Sequence, residues 1–184
     1  MSDAVKVKPA PPVGGVVITL AALLQALLWG FGGAPIAAVL SGIVIVLALA
    51  VSAAWVAAGS VEAFRGPGWA LMLWSLGGVL VVSTLLVALP MVAPVVAAIL
   101  PVILMTVAAR RPWRDLGLIW RRAPLRTVVW LLLTIVICAA IWLLSVVLGL
   151  VGAGVIGAFA WWVLFGIVQL RLLRVWLGVL RRAT

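Results

Sequence analysis

Histidine, tyrosine and asparagine are absent from this 184-residue sequence, and cysteine occurs once, as Cys138. Zinc and haem sites draw on histidine or cysteine ligands, so neither a metal site nor a cofactor is expected. A disulfide within the chain is excluded. Cys138 lies in the middle of the apolar run LTIVICAAIW and reads as a small buried hydrophobe rather than a reactive thiol. Acidic residues are almost as scarce. Asp3, Glu62 and Asp115 are the only three, and none falls deep in an apolar run. Ion-coupled transporters place acidic groups or histidine inside the membrane, so their lack argues against an ion-coupled pump. No nucleophile with a paired base and no catalytic carboxylate pair can be assembled, and the chain is expected not to be an enzyme.

What remains is overwhelmingly apolar. Hydrophobic residues make up 68% of the chain and charged residues 9%, with a mean hydropathy of +1.44. A soluble domain has roughly 25% charged residues, and one with this composition would aggregate through exposed apolar patches. The solvent must be lipid. A span needs about 20 apolar residues, and six segments qualify: 13–30, 36–58, 69–89, 91–109, 127–150 and 155–173. Their apolar character is continuous rather than alternating, which favours helices over barrel strands. The fold class expected is an all-α polytopic bundle: a flexible cytoplasmic tail at 1–12, then one six-helix transmembrane domain at 13–184. Lys6 and Lys8 before the first run resemble a signal-peptide n-region, but no clear cleavage signal follows, so a retained span is expected.

The charges give the topology. There are 13 basic residues, for a net charge of +10. With six spans they fall before span one, between two and three, between four and five, and at the end, while the turns FGGAP, LPMVAP and LGLVGAG carry none. The positive-inside rule then puts both termini in the cytoplasm. The short outer turns make the chain three helical hairpins. The bias toward Arg, Ala, Val and Leu suggests a bacterial source, hence a bacterial cytoplasmic (inner) membrane. Basic residues at the ends of apolar runs point to anionic lipid headgroups rather than nucleic acid.

One segment concentrates this chemistry. Arg110, Arg111, Arg114, Arg121, Arg122 and Arg126 lie with Trp113 and Trp120 between the fourth and fifth runs. Pro112 suits a first helical turn, Pro124 stops a helix, and Trp113, Leu116, Ile119 and Trp120 recur at helical spacing between them. A cytoplasmic interfacial helix near 112–123 is expected, with rings at the acyl boundary and guanidinium groups on lipid phosphates. The plainer reading is a topology loop. The tail RLLRVWLGVLRRAT has a similar texture.

Within the spans, Gln25 stands out as a path-lining group or, more simply, an interhelical hydrogen-bond partner. Gln169, near the cytoplasmic end, needs no special reason. Pro94 and Pro101 mark the fourth span as a candidate pathway or hinge, with a kink expected at Pro101. Ala22 and Ala26, Gly77 and Gly78, and Gly152, Gly154 and Gly157 supply small-residue packing surfaces. Trp29, Trp69, Trp130 and Trp176 fit an aromatic belt. Trp55, Trp74, Trp142, Trp161 and Trp162 lie deeper, where facing lipid or packing is the default reading and a partner, a pigment or a quinone the alternatives.

The function expected first is a non-catalytic accessory or scaffold subunit of a larger membrane complex, with an anionic-lipid-binding rim. Its partners would be lipids and other membrane subunits or copies of itself. The alternative is a small permease component or lipid-handling transporter. An intramembrane enzyme acting on a phosphorylated lipid ranks last.

Overall fold

Apolar runs of this length have one way to satisfy their backbone groups away from water, which is to close every N–H onto a carbonyl within the run. In the computed structural model, which describes residues 13–31, 34–59, 66–110, 113–122, 124–152 and 154–183, they do so as helices. The seven are α1 (Val13–Gly30), α2 (Pro35–Ala58), α3 (Gly68–Ala88), α4 (Ala93–Ala108), α5 (Arg114–Arg122), α6 (Pro124–Val151) and α7 (Gly154–Ala183). No strand occurs among the described residues. The segment 1–12 lies outside them.

Proline and glycine set the boundaries. Pro35 and Pro94 sit in the first turns of α2 and α4, and Pro124 begins α6; in a first turn the missing N–H costs no bond. Gly152 and Gly154 adopt φ of 66° and 61°, a left-handed geometry open to glycine without penalty, and so reverse the chain between α6 and α7. Pro101 lies buried inside α4, whose helical run is unbroken through it.

Four helices, α2, α3, α6 and α7, are long and apolar enough to cross a membrane. The apolar helices α1 and α4 are shorter. At 1.5 Å per residue the 16 residues of α4 rise roughly 24 Å, against a hydrocarbon core of about 30 Å. The fourth run yields less helix than its composition suggests because residues 89–92 are spent on turns around Pro90. The last run yields more: α7 continues for 30 residues, so the tail is helix rather than a separate element.

The helices pair as three hairpins, α1–α2, α3–α4 and α6–α7, and each contributes its second helix to the centre. There α2, α4 and α7 pack on one another. Each first helix lies outside, against its own partner and the inner helix of the preceding hairpin: α3 on α2, α6 on α4, and α1 back on α7. Small residues close this ring. A Cβ on Gly166 of α7 would stand 2.7 Å from Ile18 Cγ2, and one on Gly14 would stand 3.1 Å from Leu170 Cδ1. Ala22 is buried on the same helix. In lipid, where burying apolar surface gains little, such close approach is what holds helices together.

The packing is uneven along the bundle. The core comprises Leu49, Ala50, Ala53 and Ala54 of α2, Leu71 of α3, Leu104 and Met105 of α4, Ile119 of α5, and Leu173, Trp176, Leu177, Val179 and Leu180 of α7. All of these lie toward the end that carries the arginines. Trp176, expected in an aromatic belt, is only 1% exposed. The lengthened α7 draws it inward, and its indole N–H donates to Thr134 Oγ1 at 3.2 Å. The Thr134 hydroxyl in turn donates to the Trp130 carbonyl at 2.6 Å.

This chain of two hydrogen bonds joins α7 to α6. Trp176→Phe and Thr134→Val are each expected to cost about 1 kcal/mol in reversible unfolding in bicelles. The double variant should cost little more than either alone, because both remove one interaction. Additive losses would show that the contact carries no coupling.

Candidate functional site at the uncharged end of the bundle

The two ends differ chemically. At the basic end Arg110, Arg121, Arg122 and Arg126 are exposed, as are Arg171, Arg174, Arg181 and Arg182 of α7. The expected helix forms as α5, bounded by the two prolines. Its apolar side turns inward rather than toward lipid: Ile119 is 2% exposed within the core and Leu116 packs beside it. The helix is too short to hold its position alone, and α6 and α7 give it a surface. The Thr127 hydroxyl donates to the Ile119 carbonyl at 3.4 Å. Trp113 and Trp120 remain about half exposed, with Trp113 tilted against Trp74 at a ring separation of 5.2 Å. Arg110 follows α4 in the left-handed region, at φ 52°. Its guanidinium lies against Gly66, leaving no room there for a Cβ. Arg181 Nη2 reaches the Ala57 carbonyl at 3.5 Å. Arg111 and the side chain of Arg114 lie outside the described residues.

At the opposite end the bundle opens. No residue from 154 to 169 of α7 is buried, whereas Leu170, Leu172, Leu173, Trp176, Leu177, Val179 and Leu180 all are. Clefts surround that looser half. One of about 600 Å³ lies between α1, α2 and α7, lined by Gln25, Trp29, Pro35, Ser41 and Trp162. A second of about 520 Å³ lies between α1, α6 and α7, lined by Trp29, Ser145, Gly149, Gly157, Trp161 and Trp162. The two share Trp29 and Trp162. A narrower gap of about 40 Å³ continues inward past Gln25 to Phe165 and Gln169. A further 150 Å³ cleft, lined by Pro94, Cys138, Trp142, Trp161 and Gln169, lies between α3, α4, α6 and α7. None of the four is lined by a charged residue.

Three rings of α7 form the wall. Trp161 stacks on Phe165 one helical turn later, with centroids 5.5 Å apart and planes 13° apart. Trp162 meets Trp161 and Phe165 edge-on at 4.7 and 5.6 Å. The polar groups come from α1 and α2. Gln25 Nε2 donates to the Ser41 carbonyl at 2.9 Å, and the Ser41 hydroxyl donates to Gln25 Oε1 at 2.7 Å. Gln25 thus pins α1 to α2 and also borders the cleft. The Trp161 indole N–H is buried without a partner.

The arrangement can bind and orient an apolar body. Among the described residues no cluster of histidine, cysteine, aspartate or glutamate stands ready to hold a metal ion. Sequence reasoning reached Gln25 and the deep tryptophans but missed Phe165 and the part played by Gln169. The available signal was WWxxF followed four residues later by glutamine, which places all four side chains along one half of α7.

The docking of α5 is testable on its own. Ile119→Ala is expected to cost about 2–5 kcal/mol and to speed tryptic cleavage at Arg121 and Arg122 in detergent solution. Unchanged cleavage would mean that Ile119 does not anchor the helix.

Compared with known proteins, the chain matches no protein-family model, no curated protein and no solved structure.

Proposed function

We propose that the chain is a non-catalytic, six-span protein of a bacterial inner membrane that holds and passes on an amphipathic, lipid-like molecule through the clefts around α7. One observation carries this reading: the half of α7 from 154 to 169 contributes nothing fully buried and is bordered by clefts, while its other half contributes Leu173, Trp176, Leu177, Val179 and Leu180 to the core. A helix serving only as scaffold gains nothing from leaving that half loosely packed, since voids forfeit contacts. Clefts of 300–1,000 Å³ with apolar walls and a few polar groups suit a small amphipath. In this reading α1 and α4 complete the six spans, both termini and α5 face the cytoplasm, and the exposed arginines hold anionic headgroups.

An accessory-subunit role is favoured by a separate observation. Only Thr127 and Thr134 of α6 are buried, so beyond the side that packs on α4 this helix leaves a long apolar surface to lipid or to a partner helix.

Purified protein in liposomes should accelerate transbilayer movement of a fluorescent phospholipid analogue, and Gln25→Leu or Trp162→Ala should slow it several-fold. Rates equal to protein-free liposomes would defeat the proposal. In a Cys138→Ala background, Pro35→Cys and Ala183→Cys should label with membrane-impermeant maleimide from opposite sides; labelling from one side would reject the topology. Arg121→Gln, Arg122→Gln and Arg126→Gln should each lower retention of phosphatidylglycerol relative to phosphatidylcholine by about 1 kcal/mol. Equal retention would remove the lipid-binding role of the rim.

A further inference from the structure

The narrow gap between α1, α2 and α7 is more polar than its place inside an apolar bundle suggests. It opens toward the wide cleft of the uncharged end, with which it shares Gln25 and Trp162. It runs inward past Ile18 and Ser52 to Gly166 and Gln169. Beyond Gln169 the three helices close. Leu170 is buried, and a Cβ on Gly14 of α1 would stand 3.1 Å from Leu170 Cδ1 and 3.8 Å from Trp55 Cδ1 of α2. The gap is therefore a blind pocket. Each helix brings one polar side chain to it. Gln25 of α1 is 4% exposed and Ser52 of α2 is 6% exposed. Gln169 of α7, which also borders the 150 Å³ cleft, is half-buried. Gln25 Nε2 has two hydrogens and spends one on the Ser41 carbonyl. The Ser52 hydroxyl and the Gln169 amide have no hydrogen-bond partner among the described residues. A helical hydroxyl can turn back to its own helix, as those of Thr106 and Thr134 do, but that of Ser52 does not. Nor is its oxygen sealed off, as the unpaired Ser75 hydroxyl is. Polar groups left unpaired in an apolar interior are costly. The space beside these three is about 40 Å³. A water needs roughly 10–15 Å³ of such space and two to four polar partners. The gap is too small for a lipid head and large enough for about three waters. Water both donates and accepts, so it can meet a hydroxyl and an amide through whichever hydrogen or lone pair is free.

From the three polar side chains, the size of the space and its closed inner end, we propose that the gap is an internal hydration site. A short row of about three waters enters from the wide cleft, bridges Gln25, Ser52 and Gln169, and stops at Leu170. Through it the loosely packed half of α7 is tied to α1 and α2 by solvent. A cavity lined only by hydrocarbon would stay dry; the polar residue from each helix is what makes this one wet. The inference depends on the gap alone and holds whether or not a lipid passes through the wider clefts.

The test uses the full chain in phosphatidylcholine nanodiscs, with Cys138→Ala removing the native thiol. Ser52→Cys puts a thiol in the gap. Leu47→Cys puts one at an exposed position of the same helix that borders none of the clefts. The probe is methyl methanethiosulfonate, which is small, neutral and soluble in lipid and water alike. It attacks the thiolate, which apolar surroundings suppress and water supports, so its rate reports water at the sulfur. Ser52→Cys is expected to react at least tenfold faster than Leu47→Cys. Adding Gln169→Met, which keeps the side-chain length and removes its polar end, should slow the Ser52→Cys reaction at least threefold and leave Leu47→Cys unchanged. Liposomes carrying the unmodified chain should shrink under osmotic shock no faster than protein-free ones. Equal rates at the two thiols would show a dry gap and overturn the inference. A fast Ser52→Cys reaction unmoved by Gln169→Met would show water that the amide does not hold, and would overturn the bridge. Faster shrinkage would overturn the closed inner end. None of these readouts uses lipid movement, so each of these failures is distinguishable from failure of the proposed function.

Discussion

The structure depends on the contact that the final turns of α7 make with the rest of the bundle. Leu173, Trp176, Leu177 and Leu180 enter a space bounded by α2, α3, α4, α5 and α6, and no other helix contributes as many residues to that core. Within lipid, burying these side chains gains little, because hydrocarbon already surrounds them in the alternative state. The gain comes from density: small residues of α2 (Ala50, Ala53 and Ala54) leave room for large ones of α7, and the Trp176 indole finds a hydroxyl. Concentrating that density at one end frees the other to be open.

Charge is segregated along the same axis. The exposed arginines gather at the dense end, and the lining of the clefts is neutral. A strong positive field and a set of neutral clefts interfere least when they lie at opposite ends of a low-dielectric body. Rigidity at the charged end also fixes the inner helices, so that the open end has a defined width without being packed shut.

Much of the fold was legible in the sequence, for identifiable reasons. Continuous apolar runs have no alternative to helix in lipid, and proline and glycine punctuate them, so α1, α2 and α3 fall within a residue or so of expectation. α5 was readable from Pro112, Pro124 and the 3–4 spacing between them. What it packs on was not, because a helix with one apolar side is compatible with lipid or with protein until its neighbours are placed. The same ambiguity hid Trp176: a tryptophan near a run's end reads as an interfacial anchor, and only the continuation of α7 past residue 173 draws it into the core. Gly166 was overlooked because its role depends on Ile18, about 150 residues away in sequence. The clefts could not be read at all, since a void is a property of how helices diverge. Only the residues that came to line it (Gln25, Trp161 and Trp162) were visible as chemistry without an evident partner.

The ring of hairpins has a consequence for how the molecule is made. Each outer helix leans on the inner helix of the hairpin before it, except α1, whose second support is α7, made six helices after it. Domains form from the N-terminus onward during synthesis, so the surface of α1 around Gly14 and Ile18 must wait in the membrane, uncovered, while five further helices are produced. Throughout that interval α2 and α4 also lack the third member of their central trio. Assembly is therefore a late event triggered by one helix. A nascent chain halted before α7 would leave its small-residue surface open to quality-control proteases or to α7 from a second chain.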